Sequence, residues 1–270
     1  MSDCWLEVRR TDTPLILAFP HGGTVLPNVL IERFVSPWAA RRDADWHIAD
    51  LYAGLVDATT IATGLSRSVI DCNRDPSGAS LYPGQATTEL CPTTDFDGNL
   101  LYRGTHPDAA EIARRRTDYF DRYHATLAAE IARLRAIHDR VVVYDCHSIR
   151  SVAPRLFDGP LPLFNIGSNG GATCAPALVD AVAAACAASG RSHVVDGRFR
   201  GGWTTRHYGK PELGVHAIQM EIAMRGYLDE PADPAPGNWP PPYDPARAEP
   251  LRLALACILN AVLDFAKGSA

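Results

Sequence analysis

Two histidines, an aspartate, a glutamate and an Asn-Arg pair are the side chains of this sequence that could do chemistry together. His147 ends the run Val141-Val142-Val143-Tyr144-Asp145-Cys146-His147, where a short β-branched stretch gives way to polar, metal-capable residues. His21 follows Leu15-Ile16-Leu17-Ala18-Phe19-Pro20 and precedes Gly22-Gly23, and Glu221 lies near the end of the apolar run from Val215 to Ile222. Two imidazoles and one carboxylate such as Asp45, with a fourth position open to water, are the ligand set of a catalytic zinc site. A nearby glutamate such as Glu221 can take a proton from water and later give one to a leaving amine. An arginine beside an asparagine, as in Asn73-Arg74, can hold a substrate carboxylate by charge-assisted hydrogen bonds. Such a set would hydrolyse an amide that carries a carboxylate. Each piece also has a plainer reading: His21 as a spectator at a Gly-Gly turn, Asp45 as a cap or ion-pair partner, and Glu221 as half of a buried ion pair.

The elements that must position these groups read as alternating strands and helices. Leu15–Phe19 is a buried strand bounded by prolines, and Val141–Tyr144 is another, too short and too rich in valine for a helix. From Arg42 to Thr60, Ile48, Leu51, Tyr52, Leu55 and Val56 recur at helical spacing, which predicts a helix with Asp45 on its apolar face and Asp43 and Asp50 turned away. His47 falls at the edge of that face. An inward carboxylate needs a partner or a metal. Ser66–Asp71 reads as a strand that places Asn73-Arg74 just past its end. The Pro-, Gly- and Thr-rich stretch from Pro76 to Gly104 reads as a long loop and a candidate lid. Thr105-His106-Pro107-Asp108 predicts a helix start with a Thr cap, and the helix continues to about Ile137, with His106, His124 and His138 solvated or capping.

Further strands are expected at Leu161–Ile166, His193–Val195 and Val215–Ile222, with helices from Pro176 to Ser189 and from Asp244-Pro245 onward. The loop Gly167–Gly171 lacks the spacing of a nucleotide site, and Gly201–Gly209 reads as a second binding loop. Strand alternation puts Gln219 and Glu221 on one face, and Ile218, Met220 and Ile222 on the other. In open α/β sheets, ligands gather at the carboxyl ends of strands, where His21, Asn73-Arg74, His147 and Glu221 are all expected.

Composition narrows the function classes. The 270 residues are 46% hydrophobic and 21% charged, with a net charge of −5 and no basic block, which argues against nucleic acid and anionic membranes as partners. Seven scattered cysteines without a C-x-x-C pair fit reduced thiols rather than a disulfide framework or zinc ribbon. There is no signal-peptide signature and no apolar run of about 20 residues. A cytoplasmic, single-domain protein spanning residues 1–270 is expected.

The segments Phe19-Pro20-His21-Gly22-Gly23-Thr24, Asp71-Cys72-Asn73-Arg74-Asp75-Pro76, Tyr144-Asp145-Cys146-His147-Ser148-Ile149-Arg150-Ser151, Gly201-Gly202-Trp203-Thr204-Thr205-Arg206-His207-Tyr208-Gly209 and Gln219-Met220-Glu221-Ile222 resemble, in order, the motifs of N-formylglutamate amidohydrolases. The resemblance runs from about Leu15 to Tyr227. It implies metal-dependent hydrolysis of N-formyl-L-glutamate to formate and L-glutamate in histidine degradation. The fold it implies is zinc-exopeptidase-like α/β, with a central mixed, mostly parallel sheet flanked by helices. Carried over residue by residue, it makes His21 and His147 ligands of Zn2+ or another divalent metal. Glu221 becomes the general base for a metal-activated water, and Asn73 and Arg74 the carboxylate clamp. Where many relatives have Ser-Glu-Asp, this chain reads Asp43-Ala44-Asp45, so Asp45 takes the third ligand position. A dicarboxylate needs a second cation; Arg206 is the candidate, with Arg150, Arg155 and Arg198 as rivals. Competing readings are a deacylase for another N-acyl amino acid, a Cys146 nucleophile with His147 as its base, and a non-catalytic carboxylate-binding protein. Adjacent strand residues project to opposite sides, which disfavours the Cys146-His147 pair.

Overall fold

The computed structural model describes residues 5–268. A seven-stranded sheet comprises β1 (Leu6–Arg9), β2 (Leu15–Phe19), β3 (Thr59–Thr63), β4 (Val141–Ile149), β5 (Phe164–Gly167), β6 (His193–Val195) and β7 (Val215–Ala223), in the order β1-β3-β2-β4-β7-β5-β6. The inner strands β3, β2, β4 and β7 run parallel; β1 pairs antiparallel with β3 and β5 antiparallel with β7. The expected mixed, mostly parallel α/β sheet is therefore present.

Seven helices accompany it among the described residues: α1 (Asn28–Ile31), α2 (Ile48–Tyr52), α3 (Ala109–Arg115), α4 (Asp121–Arg135), α5 (Pro176–Ala188), α6 (Trp203–Tyr208) and α7 (Pro245–Lys267). A single wide turn over Arg116–Phe120 joins α3 to α4. None is long and apolar enough to cross a membrane.

Strand alternation divides the core into two layers. Leu15, Leu17 and Phe19 of β2, Val142, Tyr144 and Cys146 of β4, and Ile218, Met220 and Ile222 of β7 pack with α5 and α7. The opposite faces, with Ile16, Ala18, Val141, Val143 and Ala217, pack with Tyr123, Leu127, Ile131 and Leu134 of α4. Each fully buried aliphatic side chain contributes roughly 1.5–3 kcal/mol, so these layers fix the sheet between its helices.

On the α4 side, β4 and β7 change character part-way along. Val143 is followed on the same face by Asp145 and His147, and Ala217 by Gln219 and Glu221. The parallel register sets Asp145 beside Gln219 and His147 beside Glu221. The apolar halves of the strands lock the register that places the polar halves.

Several expectations from sequence are corrected. The helix expected over 42–60 is only Ile48–Tyr52, and its end becomes β3. His47 adopts a left-handed conformation (φ 58) that breaks any earlier turn, so Asp45 sits in a turn, fixed by its N–H bond to the His21 carbonyl at 3.0 Å. Ser66–Asp71 is a turn following β3 rather than a strand; the Thr-rich 59–63 segment won the sheet position. The 201–209 segment contains the short helix α6. Asp108, not Thr105, caps α3 by accepting from the Glu111 N–H.

Candidate active site

Four loops and strand ends bring the titratable groups together. His21, at the exit of β2, lies beside His147 of β4 with ring centroids 4.7 Å apart. The Gly-Gly pair after His21 permits this: a Cβ on Gly23 would meet the Gly64 backbone at 2.2 Å, so only glycine lets the loop lie against the end of β3. Asp45 closes the group, its Oδ2 lying 3.8 Å from His21 Nδ1 and 3.2 Å from His147 Nδ1. Oδ2 also accepts from the Ser148 N–H at 3.1 Å, which fixes the carboxylate.

Behind each imidazole stands a second carboxylate. Asp71 Oδ1 accepts from His21 Nε2 at 2.6 Å, and Asp145 Oδ2 lies 3.0 Å from His147 Nε2. A carboxylate can only accept, so His21 Nε2 carries the proton and its Nδ1 turns a lone pair toward Asp45, whereas His147 meets a carboxylate at each ring nitrogen, Asp45 at Nδ1 and Asp145 at Nε2, with Asn73 Nδ2 also 2.9 Å from Nε2. Asn73 braces the same layer. Its N–H donates to Asp71 Oδ1 (2.9 Å), its Nδ2 to Asp145 Oδ2 (3.0 Å), and its Oδ1 accepts from the Thr204 N–H (2.8 Å). A Cβ on Gly202 would lie 2.4 Å from that amide, so the approach of α6 also requires glycine.

The electrostatics follow from burial and crowding of carboxylates. Burial pulls the His21 pKa down to about 4, aided by Arg67 and opposed by Asp71. Burial also disfavours a charged His147, but Asp145, Asp45 and Glu221 override it and raise its pKa well above the usual range. Glu221 is raised mainly by burial, with His147 opposing. Asp71 is held well below the usual range: burial works against its charge, and His21, Arg74 and Arg67 outweigh it.

His21, Asp45 and His147 fit a divalent metal on two counts. One donor atom from each falls within 4.8 Å of the others, and all three residues are buried. Moreover, His21 Nδ1 is a buried atom with no hydrogen-bond partner, aimed at that shared point. Carboxylates behind the ring nitrogens are the usual outer support of a histidine-ligated metal.

The imidazoles form part of the wall of a cleft of about 540 Å3, counted out to its open mouth. Glu221, Gln219, Asn73, Arg74, Arg67 and Arg198 share that wall with the apolar Phe96, Ile149, Leu156 and Phe199.

A family model described as N-formylglutamate amidohydrolase matches residues 13–228. The chain belongs to the N-formylglutamate amidohydrolase family. It is 44% identical over 266 residues to a protein named N-formylglutamate deformylase from Pseudomonas aeruginosa, covering 97% of each chain. It is 40% identical over 262 residues to another of that name from Pseudomonas putida, covering 96% of this chain and 95% of the relative. The fold is also that of an N-formylglutamate amidohydrolase from Ralstonia eutropha JMP134, with a TM-score of 0.79 at 22% identity, over 98% of this chain and 99% of that one. A gene product from Agrobacterium tumefaciens shares the fold at a TM-score of 0.71 and 17% identity, over 97% and 96% of the two chains.

In this member of the N-formylglutamate amidohydrolase family, the structure brings His21, Asp45, His147, Glu221, Asn73 and Arg74 to one place. Arg206 is not among the cleft-lining residues; it bonds the carbonyls of Gly201 (2.9 Å) and Leu81 (2.8 Å). Of its rivals, Arg150 pairs with Asp97 at 2.8 Å, Arg155 bonds the Asp95 carbonyl, and Arg198 lines the cleft. Cys146 faces the opposite core layer, and burial raises its thiol pKa well above the usual range, so it does not meet His147 as a nucleophile.

Sequence reasoning missed Arg67, a buried cation that donates to Asp71 Oδ2 (2.7 Å) and Asp45 Oδ1 (3.4 Å). It also missed Asp71 as a support for His21. Asp71 carried a signal, being a lone acid at the foot of an apolar run; Arg67 carried none, since a surface turn would contain the same residue. His124, expected to be solvated or capping, is instead buried and bridges the Cys72 carbonyl (2.8 Å) to the Tyr208 hydroxyl (3.1 Å).

Proposed function

We propose that the protein hydrolyses the formyl amide of N-formyl-L-glutamate to formate and L-glutamate, a step of histidine degradation in the cytoplasm, as a metal-dependent enzyme with zinc the expected ion. The observation that carries this reading is Glu221 in register beside His147, facing a cleft that also holds His21, Arg74 and Arg198.

A divalent ion held by His21, Asp45 and His147 would supply Lewis acidity at the scissile carbonyl. The chain's own residues account for the rest. Asp71 keeps His21 in the tautomer that leaves Nδ1 free, and Asp145 with Asn73 holds the His147 ring in place. Glu221 takes a proton from the attacking water and passes one to the departing amine nitrogen; its raised proton affinity brings it nearer the range where a group can do both. Gln219 Nε2 donates to Glu221 Oε2 at 3.3 Å and orients it, while the Gln219 Oε1 accepts from the Gly202 N–H at 2.8 Å. The Arg67 guanidinium lies on the wall beside His21, placed to stabilise the developing oxyanion. Arg74, with Asn73 beside it, holds one substrate carboxylate. Phe96, Leu156 and Phe199 exclude water around the amide.

The test is formate release from N-formyl-L-glutamate, compared with acyl release from N-acetylglutamate, N-formylaspartate and N-acetylaspartate. N-formylglutamate is expected to have the highest kcat/KM. A higher value for an aspartate or acetyl substrate would assign the site to another N-acyl amino acid, and no release from any would support a binding protein instead.

A further inference from the structure

The three cleft arginines differ in what they face. Arg67 is matched: Asp71 and Asp45 outweigh the effect of burial and raise its pKa. Arg74 donates from Nε to the Thr88 carbonyl (3.0 Å) and from Nη2 to the Thr88 hydroxyl (3.1 Å), with Asp71 3.8 Å away. Arg198 donates from Nε to the Leu156 carbonyl (2.6 Å) and from Nη2 to the Ala86 carbonyl (2.8 Å). Neutral oxygens thus orient both guanidinium groups, and among the described residues neither Nη1 has a hydrogen-bond partner.

Arg198 goes further than Arg74. It forms no salt bridge among the described residues, and its guanidinium lies 5.4 Å from the Tyr82 ring centroid and 5.3 Å from that of Phe199. Burial lowers its pKa, whereas Arg115 and Arg150, also substantially buried, are raised by their partners. A guanidinium held by rings and carbonyls on the wall of a cleft is a partly buried cation that lacks its anion.

Arg206 serves a different part. Its guanidinium lies 5.0 Å from the Tyr82 ring centroid, and its Nη1 holds the Leu81 carbonyl. The Tyr82 hydroxyl in turn donates to the Gly201 carbonyl at 3.0 Å. Arg206 therefore ties the 81–82 segment to the start of α6, and Tyr82 forms part of the cleft wall against Arg198.

We propose that Arg198 is the specificity-determining cation for the second carboxylate of the substrate, with Arg74 taking the first, and that Arg206 is a positioning residue that holds Tyr82 against Arg198. This rests on the deformylase reading above, and it replaces Arg206 by Arg198 as the second carboxylate's partner. It predicts a dianion-selective cleft in which each carboxylate has its own arginine.

The experiment compares kcat/KM for N-formylglutamate with that for its two monoamides, N-formylglutamine and N-formylisoglutamine. The wild-type protein is expected to prefer the diacid over each monoamide by roughly 100-fold, the scale of removing one partner from a desolvated charge pair. Arg198→Gln should lose the preference against one monoamide and keep it against the other, and Arg74→Gln should show the reverse. Arg198→Lys should recover part of the loss, and Arg206→Gln should weaken the Arg198-dependent preference by a few-fold and keep the other. If Arg198→Gln fails to fold, Arg198→Lys still reads the same ratio, with a partial loss expected against one monoamide only. Undiminished discrimination in the Arg198 variants, or a loss of preference in Arg206→Gln as complete as that in Arg198→Gln, would overturn the proposal while leaving the deformylase reading intact. No formate release by the wild-type protein would overturn that reading itself and the proposal with it.

Discussion

The floor and the rim of the cleft are built on different principles. At the floor, His21, Asp45, Asp71, Asn73, Asp145 and His147 bond chiefly to one another, through side chains that emerge at or near strand ends. At the rim, Arg198 and Arg206 bond main-chain carbonyls and pack against Tyr82, on segments outside the sheet. A network of buried polar groups that bond to one another has little freedom, so the floor can fix reacting groups closely. Rings and carbonyls hold a side chain while leaving its charge unpaired. The floor therefore suits chemistry, and the rim suits recognition.

If that division is right, substitutions in the two regions should differ in kind. Glu221→Gln at the floor is expected to cost the most, about 10²- to 10⁴-fold in kcat, with metal content and KM close to wild type. Steady-state formate release and metal analysis on the same preparation check this, and a KM effect without a kcat effect would move Glu221 to recognition.

Stability should also depend on the buried layer that joins floor to rim. Burial holds His124 neutral, lowering its pKa from 6.5 to about 4 against the pull of the Cys72 carbonyl. An unfolded histidine takes up its proton near pH 6.5, whereas the folded one resists until about 4. The stability that His124 contributes is thus fully present above about pH 6.5 and is lost as pH falls toward 4. Between pH 7 and 4.5 the loss is on the order of 2 to 3 kcal/mol. Urea unfolding at the two pH values should show a smaller pH dependence in His124→Gln by that amount.

Two smaller effects sharpen the contrast. Asp71→Asn weakens the support of His21 and should reduce metal affinity by about 10- to 100-fold, read by competition with a chelator. Arg206→Gln should raise KM roughly two- to fivefold and leave kcat and metal affinity unchanged, because only ring and carbonyl contacts are lost.

The same division explains what sequence reading could reach. His21, His147 and Glu221 stand at breaks between apolar runs and polar residues, and strand alternation alone puts Glu221 on the face opposite Ile218 and Met220. The parallel register that sets Glu221 beside His147 is tertiary and is not written in either strand alone. Asp45 was identified for a reason that does not hold. Helical spacing over 42–60 placed it on an apolar face, yet the helix begins at Ile48, and the carboxylate points inward because its backbone is tied to His21. Ser66–Asp71 and Thr59–Thr63 compete for one place in the sheet, and local propensity did not separate them. The rim arginines have no periodicity to read. Arg198 meets carbonyls 42 and 112 residues away, those of Leu156 and Ala86, and Arg206 meets that of Leu81, 125 residues away, so neither placement shows in local sequence.

The central claim is that the His21, Asp45 and His147 group holds a metal required for amide hydrolysis. Its most direct test is formate release from N-formylglutamate by protein stripped with a chelator and then titrated with a divalent ion. Activity should vanish on stripping and return in proportion to added ion, saturating at about one equivalent per chain, with His147→Ala failing to recover. Full activity in protein shown to be free of metal would contradict it.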